Sequence, residues 1–357
     1  MLVHKAVLFC YSFPTVIEIK EISDKSDWEK FNLGSNNPSF LQSWAWGEFQ
    51  KNRGRDFYRL GVYEGDDLVG ISLVYAEAAK LGSYLYCPAG PVFKNLKKEH
   101  FTKWLEFVAN VAKEKSHVFL RIDPRVIDEM AKGLVKEAGF SAAPEYTQPQ
   151  CSAIIDLNKS EEELRHGLSS STRYNINAAE RKGLTVREGK KEEIEVFWTL
   201  LKETASRKKF VLPVQRDYPR IQFETLSKEN LMKLYIAESG EEPLSAALVV
   251  NYADTSYYLH AANSLKKKEL RASYPLVWFT ILEAKKAGLK HFDFWGAAPT
   301  DDPKHPWSGV TSFKLSFGAK RECYEPPLDL PFSNNYQLMK VLEIWRKPVR
   351  KILRFGR

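Results

Sequence analysis

A polar stretch near the middle of the chain carries residues at a spacing that suits phosphate binding. Arg173, Asn177 and Arg181 recur at every fourth position of the segment RYNINAAERKG, and side chains at that spacing lie on one face of a helix. Ser169 can cap such a helix at its start, and Gly183 can end it. Because guanidinium groups suit phosphate oxygens, the segment predicts either a solvated helix face or a binding surface.

Two other kinds of chemistry find little support in the sequence. Asp301, Asp302 and His305 lie close together in TDDPKHPW, but adjacent aspartates between prolines are typical of a solvated turn, and a hard cation needs several converging oxygens. The sequence therefore predicts no metal site. No Ser–His–Asp or Cys–His grouping stands out that would indicate a covalent nucleophile with its base.

The bulk properties indicate a globular protein with two domains. A length of 357 residues suggests two domains at roughly 150 residues each, and 44% hydrophobic against 27% charged residues argues against disorder. The four cysteines, Cys10, Cys87, Cys151 and Cys323, are far apart and include no CxxC pair. This spacing argues against a zinc ribbon and against a disulfide-stapled secreted domain, and it favours a reduced cytoplasmic compartment.

The net charge of +8 is concentrated at the end of the chain. Residues 334–357 hold seven Lys or Arg and one Glu, so the rest is nearly balanced. This tail also carries Trp345, Leu353 and Phe355, and a basic amphipathic segment suits an anionic membrane surface or RNA phosphates. A helix packed on the first domain is the third interpretation, and packing can coexist with membrane contact. The apolar run at residues 6–13 is too short to span a bilayer.

The elements that would position the candidate residues form an internal repeat. YRLGVYEGDDLVGISLVY (58–75) and KLYIAESGEEPLSAALVVNY (233–252) both read as strand, acidic turn, strand. In each copy a third strand follows, then a helix, a strand leading to proline, and a further helical segment and strand. The repeated order indicates two α/β units with mixed sheets, which we place at residues 15–157 and 158–332.

Three motifs resemble those of the Fem family of peptidoglycan aminoacyltransferases. They are FLQSWAWGEFQK (40–51), STRYNINAAERKG (171–183) and FDFWGAAPTDDPKHPWSGVTSFKLSFGAK (292–320). The resemblance implies two tandem GNAT-like acyltransferase domains related by internal duplication, with a C-terminal helix, 334–357, that packs back on the first. Only a short turn-containing segment is expected between Arg207 and Leu226, where some members insert a long coiled-coil arm. The chain therefore resembles the compact, armless members.

The resemblance also implies an activity. The family transfers an amino acid, such as glycine, alanine or serine, from aminoacyl-tRNA to the stem-peptide amine of a muramyl-peptide precursor, which is lipid II or its UDP-linked counterpart. The expected protein is a cytoplasmic monomer, peripheral at most to the inner membrane face, that uses aminoacyl-tRNA as co-substrate and no cofactor. Attack of an amine on an ester requires alignment of the substrates and stabilisation of an oxyanion.

The site residues follow from the same resemblance. A phenylalanine–lysine pair lies at the family's catalytic centre and matches Phe313 and Lys314; from the sequence alone, Lys314 is instead a surface lysine in the last strand of a sheet. Asp293 either orients the incoming amine or caps the sheet edge. The helix with Arg173 is expected at the domain junction, lining a phosphate-rich cleft. The substrate-binding candidates are Lys51, Gln50, Arg173, Tyr174, Asn177, Arg181, Tyr258, His260 and Trp295.

Two other functions fit the same scaffold. An acyl-CoA-dependent N-acyltransferase usually cradles the CoA pyrophosphate with an R/Q-x-x-G-x-G/A turn before a helix, and neither copy contains such a turn. A non-catalytic RNA-binding or membrane-surface-binding protein would not require Lys314, whereas the transferase would.

Overall fold

Two mixed β-sheets flanked by helices form the fold of the chain in a computed structural model that describes residues 16–79, 81–124, 128–208 and 217–343. The N-terminal extension, Cys10 and the tail residues 344–357, about which the sequence makes predictions, lie outside the described residues.

In the described part of the first half there are eleven α-helices and β-strands. They are β1 (Ile17–Glu21), α1 (Lys25–Leu33), α2 (Trp44–Asn52), β2 (Phe57–Glu64), β3 (Asp67–Ala79), β4 (Gly82–Pro88), β5 (Val92–Phe93), α3 (Lys98–Glu114), β6 (Phe119–Asp123), α4 (Glu129–Glu137) and β7 (Ser141–Ala142). A 3-10 helix over Phe40–Gln42 precedes α2.

The second half follows directly. Its elements are β8 (Cys151–Asp156), α5 (Glu161–Gly167), α6 (Ser170–Arg181), β9 (Leu184–Gly189), α7 (Ile194–Lys208), α8 (Tyr218–Lys228), β10 (Met232–Ser239), β11 (Glu242–Tyr252), β12 (Thr255–Asn263), α9 (Ser273–Lys286), β13 (His291–Asp293), α10 (Ser308–Leu315), β14 (Lys320–Cys323) and β15 (Leu328–Pro331). A final helix, α11, is described over residues 335–343.

The predicted duplication is confirmed by the strand order of the two sheets. The first sheet has the order β1-β2-β3-β4-β6-β15-β7 and the second the order β9-β10-β11-β12-β13-β8-β14. In each, an antiparallel hairpin turns at a glycine with φ 65°, Gly65 or Gly240, a conformation that glycine adopts without steric cost. Each third strand then pairs in parallel with the strand after the long helix, β4 with β6 and β12 with β13.

The predicted unit boundaries need a correction, because the two halves exchange a strand. β8 lies within the expected first unit, 15–157, yet it pairs with β13 and β14 of the second sheet. β15 lies within the expected second unit, 158–332, yet it pairs with β6 and β7 of the first. Each sheet would otherwise leave a gap between two strands, and backbone groups in such a gap require partners.

A hydrophobic cluster joins the two units. On β10 and β11 successive side chains point to opposite faces: Leu234 and Leu248 belong to the interdomain cluster, whereas Tyr235 and Ala247 face α6 and α9. The interdomain cluster also takes Trp28 of α1 and Phe49 of α2 from the first unit. One face of the second sheet therefore packs toward the first unit and the other carries an outer layer of helices.

Helix α8 corrects the expectation of a mere turn between Arg207 and Leu226. Pro219 stands in its first turn, where proline is tolerated, and Phe223 and Leu226 pack into the interdomain cluster. The helix contacts α2 and β10, so it forms part of the contact between the units.

A disulfide joins Cys151 and Cys323, although the spacing of the cysteines favours a reduced compartment. The residues are 172 positions apart, but the exchange of β8 sets them opposite each other on β8 and β14. Spacing along the sequence gives no sign of this pairing.

The described part of the C-terminal helix lies against the first sheet. Tyr336 and Met339 of α11 pack on Val118 and Phe119, and the Tyr336 hydroxyl donates to Asp329 of β15 at 3.1 Å. Among the described residues, no helix is long and apolar enough to cross a membrane.

Candidate functional site

The second sheet opens into a notch between β12 and β13. The two strands pair only over Thr255–Tyr257 and His291–Asp293, and β12 then continues to Asn263. The chain leaves β13 through a tight turn at Trp295, whose φ of 58° lies in the left-handed region. A bulky residue rarely adopts this conformation, so other contacts must hold the turn.

Asp293 holds that turn. Its side chain is buried, and Oδ1 accepts hydrogen bonds from the Trp295 backbone N–H at 2.6 Å and from the Ser152 hydroxyl of β8. The hydrogen bonds of a carboxylate are stronger than those between neutral groups. Asp293 therefore does not cap a sheet edge, which was one of the two sequence interpretations; it fixes the backbone that follows β13.

Lys314 completes the turn from the opposite side. Its Nζ donates to the carbonyl oxygens of Trp295 at 3.0 Å and Gly296 at 2.5 Å. Burial lowers the pKa of Lys314 to about 8, while the charge of Asp293 acts in the opposite direction. The residue lies on helix α10, so the alternative of a surface lysine in the last strand is wrong: that strand, β14, begins six residues later.

Aromatic side chains surround this centre and connect it to the first unit. Phe313 packs against Tyr274, with ring centroids 5.0 Å apart, and against Phe317 at 5.2 Å. The Trp295 ring lies 5.4 Å from Phe40 of the first unit and 5.8 Å from Tyr257 of β12. The structure thus brings together Lys314, Phe313, Asp293 and Trp295, all predicted from the sequence.

A second feature is a cavity of about 420 Å³ on the face of the first sheet that carries α2. Its walls combine arginine, tyrosine and amide side chains and include Gln50, which the sequence predicts. The lining residues are Trp46, Gln50, Arg53, Arg55, Tyr75, Glu77, Ala78, Ala79, Tyr84, Tyr86, Arg121, Glu145, Tyr146, Thr147, Gln148, Tyr218, Met339, Leu342 and Glu343.

Two neighbouring arginines, Arg53 and Arg55, line the cavity together with Arg121 and three glutamates. The Arg53 guanidinium lies 4.9 Å from the centre of the Tyr218 ring, and Arg55 pairs with Glu77. Burial lowers the pKa of Arg53, and burial together with the charge of Arg53 lowers the pKa of Arg55 to about 10. Both groups are charged at neutral pH, and an anion between them would relieve their repulsion. Arg121, the third arginine of the lining, forms a bidentate ion pair with Asp329.

Gln50 provides an unused donor in the same cavity. The side chain is fully buried, its Oε1 accepts from Arg53 at 3.1 Å, and its Nε2 has no hydrogen-bond partner within the part of the chain that the structure describes. A buried amide without a partner costs roughly 1–3 kcal/mol. A polar ligand in the cavity would supply that partner.

A short stretch of chain connects the cavity to Lys314. Gln148 lines the cavity, and the next residue, Pro149, lies against Gly296, whose carbonyl accepts from Lys314. Two residues further on, Cys151 accepts a backbone hydrogen bond from Ala297 at 2.7 Å. The cavity of the first unit and the lysine centre of the second are therefore adjacent along one segment.

Helix α6 does not lie where the sequence analysis places it. Ile176 and Ala179 pack in the core on the outer face of the second sheet, against α9 and β9, so its expected position at the domain junction is wrong. Arg173 donates to three carbonyl oxygens at the end of α5, and Asn177 accepts from Arg165. Tyr174 and Arg181 are exposed. The four-residue spacing correctly predicts a helix face, but part of that face ties α6 to α5.

The remaining predicted residues occupy three different environments. Lys51 is exposed on α2. Tyr258 is buried in the core beside Phe292 and Phe294. His260 pairs with Gln222 at 2.8 Å, and burial lowers the pKa of its imidazole to about 4, so it is neutral at pH 7.

Sequence reasoning missed the cavity arginines and Ser152. Arg53 and Arg55 follow the motif FLQSWAWGEFQK within four residues, and two cations at the junction of a helix and a strand were a usable signal. Ser152 had no such signal, since only the strand exchange brings it to Asp293. Asp301 and Asp302, considered as metal ligands, instead pair with Arg321 and accept from the Lys304 backbone N–H.

Comparison with known protein families gives a match over most of the chain. The FemAB family model matches residues 23–136, 125–238 and 213–343, which together span most of the chain. The chain belongs to the FemAB family. The family resemblance seen in the sequence is thereby confirmed, and the protein is an acyltransferase.

Relatives and solved structures extend this assignment. The lipid II:glycine glycyltransferase of Staphylococcus epidermidis is 23% identical over 79% of this chain and 85% of its own length. That of Staphylococcus aureus is 22% identical over 81% and 87%. A crystal structure of FemX superposes with a TM-score of 0.79 at 19% identity, over 91% of this chain and all of the other. A tandem GNAT protein from the clavulanic acid pathway gives 0.54 at 10% identity, over 88% and 98%. These likenesses confirm the predicted tandem GNAT-like fold.

Proposed function

We propose that this FemAB protein transfers an amino acid from aminoacyl-tRNA to the stem-peptide amine of a muramyl-peptide precursor such as lipid II. The observation that carries the proposal is the placement of a half-buried lysine, Lys314, against two carbonyl oxygens at the notch, near a cavity lined by three arginines. The names of the glycyltransferase relatives support the acceptor class.

The reaction requires no covalent enzyme intermediate. The acceptor amine attacks the carbonyl carbon of the aminoacyl ester, a C–N bond forms, and the carbonyl oxygen becomes an oxyanion. The tetrahedral species then collapses, the bond to the ribose oxygen breaks, and that oxygen takes up the proton released by the amine. An amide and the free ribose hydroxyl result.

Lys314 fits the part of oxyanion stabiliser. An ammonium group has three N–H donors, and two of them are directed to Trp295 and Gly296. The third is available for the developing oxyanion, and the first two fix its direction. Such preorganised donors contribute strongly in a site from which water is excluded.

The cavity fits a precursor that carries phosphates. Arg53 and Arg55 supply charge, and guanidinium groups bind phosphate oxygens in pairs of hydrogen bonds. The free Nε2 of Gln50 can donate to the same group. Because Gln148 and Pro149 link the cavity to Gly296, a precursor held there by its phosphates would extend its peptide toward Lys314.

The test is transfer in vitro with purified protein, charged tRNA and a muramyl-pentapeptide precursor, followed by the mass of the precursor. Lys314→Met should lower kcat by about 10²–10³, whereas Lys320→Met, an exposed lysine on β14, should leave it unchanged. A wild-type protein that modifies no precursor with any charged tRNA, but acylates an amine from acetyl-CoA, would refute the proposal.

A further inference from the structure

Exposed apolar side chains gather at one side of the cavity. Leu338 and Val341 of α11 are 55% and 47% exposed, and Leu81, at the tip of the β3–β4 hairpin, is 38% exposed. We refer to these three residues as the rim surface. They are three of the eight large hydrophobic side chains that are exposed in the described part of the chain.

The rim surface adjoins the cavity through the elements that carry it. Tyr336 and Met339, on the inner face of α11, pack on the first sheet, and Ala79 of the β3–β4 hairpin packs on the same cluster. Ala79, Met339 and Leu342 also line the cavity. The hairpin and α11 therefore form one wall of the cavity, and that wall presents apolar side chains to the outside.

The sequence around this surface holds more basic than acidic residues. Lys340 lies between Leu338 and Val341 in the sequence, with its Nζ 5.8 Å from the centre of the Tyr336 ring, and Lys80 precedes Leu81. The residues that follow α11, 344–357, include six Lys or Arg and no Asp or Glu. Apolar side chains accompanied by basic residues suit the surface of an anionic bilayer, since the apolar groups enter the interface and the cations face lipid phosphates.

We propose that the rim surface docks on an anionic lipid bilayer and presents the cavity to an acceptor that is anchored in that bilayer. The statement about the acceptor rests on the proposed function; the statement about the bilayer does not. A lipid-linked precursor places its phosphates at the bilayer surface, which is where Arg53 and Arg55 would meet them if the cavity wall lay on the membrane. A soluble, nucleotide-linked precursor would need no such surface.

The first experiment measures binding of the full chain to vesicles by co-sedimentation. Phosphatidylcholine vesicles with about 30% phosphatidylglycerol should bind the wild type in a salt-sensitive manner, and pure phosphatidylcholine vesicles should bind it much less. The variant Leu338→Gln/Val341→Gln should partition at least about tenfold less, since each buried methylene contributes roughly fourfold. The control Met130→Gln/Leu265→Gln alters two similarly exposed residues elsewhere and should bind like the wild type.

Two results would overturn the bilayer assignment. One is equal binding by the wild type and the rim variant, or no binding by either. The other is a dimer, seen by light scattering, that the rim substitutions dissociate, because the occupant would then be a second copy of the chain.

The second experiment compares two acceptors, a lipid-linked precursor in the same vesicles and its soluble UDP-linked counterpart. The rim variant should raise KM for the vesicle-bound acceptor about tenfold and leave kcat and transfer to the soluble acceptor unchanged. Equal loss on both acceptors would overturn the link between the rim and the acceptor. A wild type that binds vesicles but transfers to neither acceptor would refute the proposed function and leave the bilayer assignment supported.

Discussion

The charged form of Lys314 lowers the free energy of unfolding by a measurable amount, and this amount depends on pH. Burial lowers the pKa of Lys314 from 10.5 to about 8. A lysine whose pKa is lower in the folded state binds fewer protons there than in the unfolded chain, so stability rises with pH between the two values. Below pH 8 the folded protein carries the full penalty of a buried ammonium, and above pH 10.5 it carries none.

The size of the effect follows from that difference. The whole change corresponds to roughly 3 kcal/mol. Between pH 7 and pH 9.5 the free energy of unfolding of the wild type should rise by about 2 kcal/mol relative to Lys314→Met, which has no titrating group at this position. Other groups that titrate in this range are common to both proteins and cancel in the comparison.

The assay is urea unfolding of both proteins at half-unit steps of pH, followed by tryptophan fluorescence. The difference between their free energies of unfolding is plotted against pH. A flat difference would show that Lys314 keeps its ordinary pKa and is solvated, and a difference that falls with pH would show that its neighbours stabilise the ammonium. Either outcome refutes the burial argument independently of any activity.

Three further predictions concern the groups around Lys314 and the cavity. Asp293→Asn should lower kcat at least about tenfold with little change in acceptor KM, because the Trp295 turn loses a carboxylate. We expect kcat to decline at high pH, where Lys314 loses its proton. Asp293→Asn should move this decline to lower pH, since Asp293 raises the pKa of Lys314. Arg53→Gln should raise acceptor KM by about 10- to 100-fold and leave kcat unchanged, as measured by initial rates. Tyr252→Phe should lower the free energy of unfolding by about 1–3 kcal/mol in urea titrations, because the Tyr252 hydroxyl donates to Glu29 at 2.6 Å across the two units. An unchanged kcat for Asp293→Asn, an unchanged acceptor KM for Arg53→Gln or an unchanged stability for Tyr252→Phe would contradict the prediction concerned.

Much of the fold could be predicted because the signals are local. Acidic turns with glycine indicate the two hairpins, and the helical spacing of Phe101, Trp104 and Val108 indicates α3. The exchange of β8 and β15 could not be predicted, because both strands are short and nothing in their composition tells which sheet will pair with them. The misplaced unit boundaries and the missed disulfide both follow from that single feature.

The candidate site also contains some residues that could be predicted from the sequence and others that could not. Lys314 and Phe313 were accessible through a long motif, and Asp293 through its alternation with Phe292 and Phe294 on one strand. Helix α6 was recognised from its spacing but misplaced, because a polar stripe does not reveal whether arginines face a ligand or the carbonyls of a neighbouring helix, as Arg173 does. The cavity depends on side chains from six distant segments, so no single stretch of sequence describes it.

Duplication has left a carboxylate at the same place in both sheets, with different contacts. Asp123 ends β6 as Asp293 ends β13, and each of these strands pairs in parallel with the third strand of its unit, β4 or β12. Asp123 accepts from the Tyr86 hydroxyl in the cavity at 2.8 Å, whereas Asp293 holds the turn under Lys314. Asp123 thus contributes to the cavity and Asp293 to the lysine centre. The distance between the cavity and the lysine centre depends on the packing between the two units.

Phe40 of the first unit packs against side chains of the lysine centre in the second unit. It is buried in the first unit and its ring lies 4.8 Å from Tyr257 and 5.4 Å from Trp295. Phe40→Leu should lower the free energy of unfolding by about 1–2 kcal/mol and also lower kcat, with acceptor KM unchanged. Phe101→Leu, in the core between the first sheet and α3, should cost similar stability and leave kcat intact. Equal kcat values for the two variants would show that the units act independently and that the contact between them only stabilises the fold.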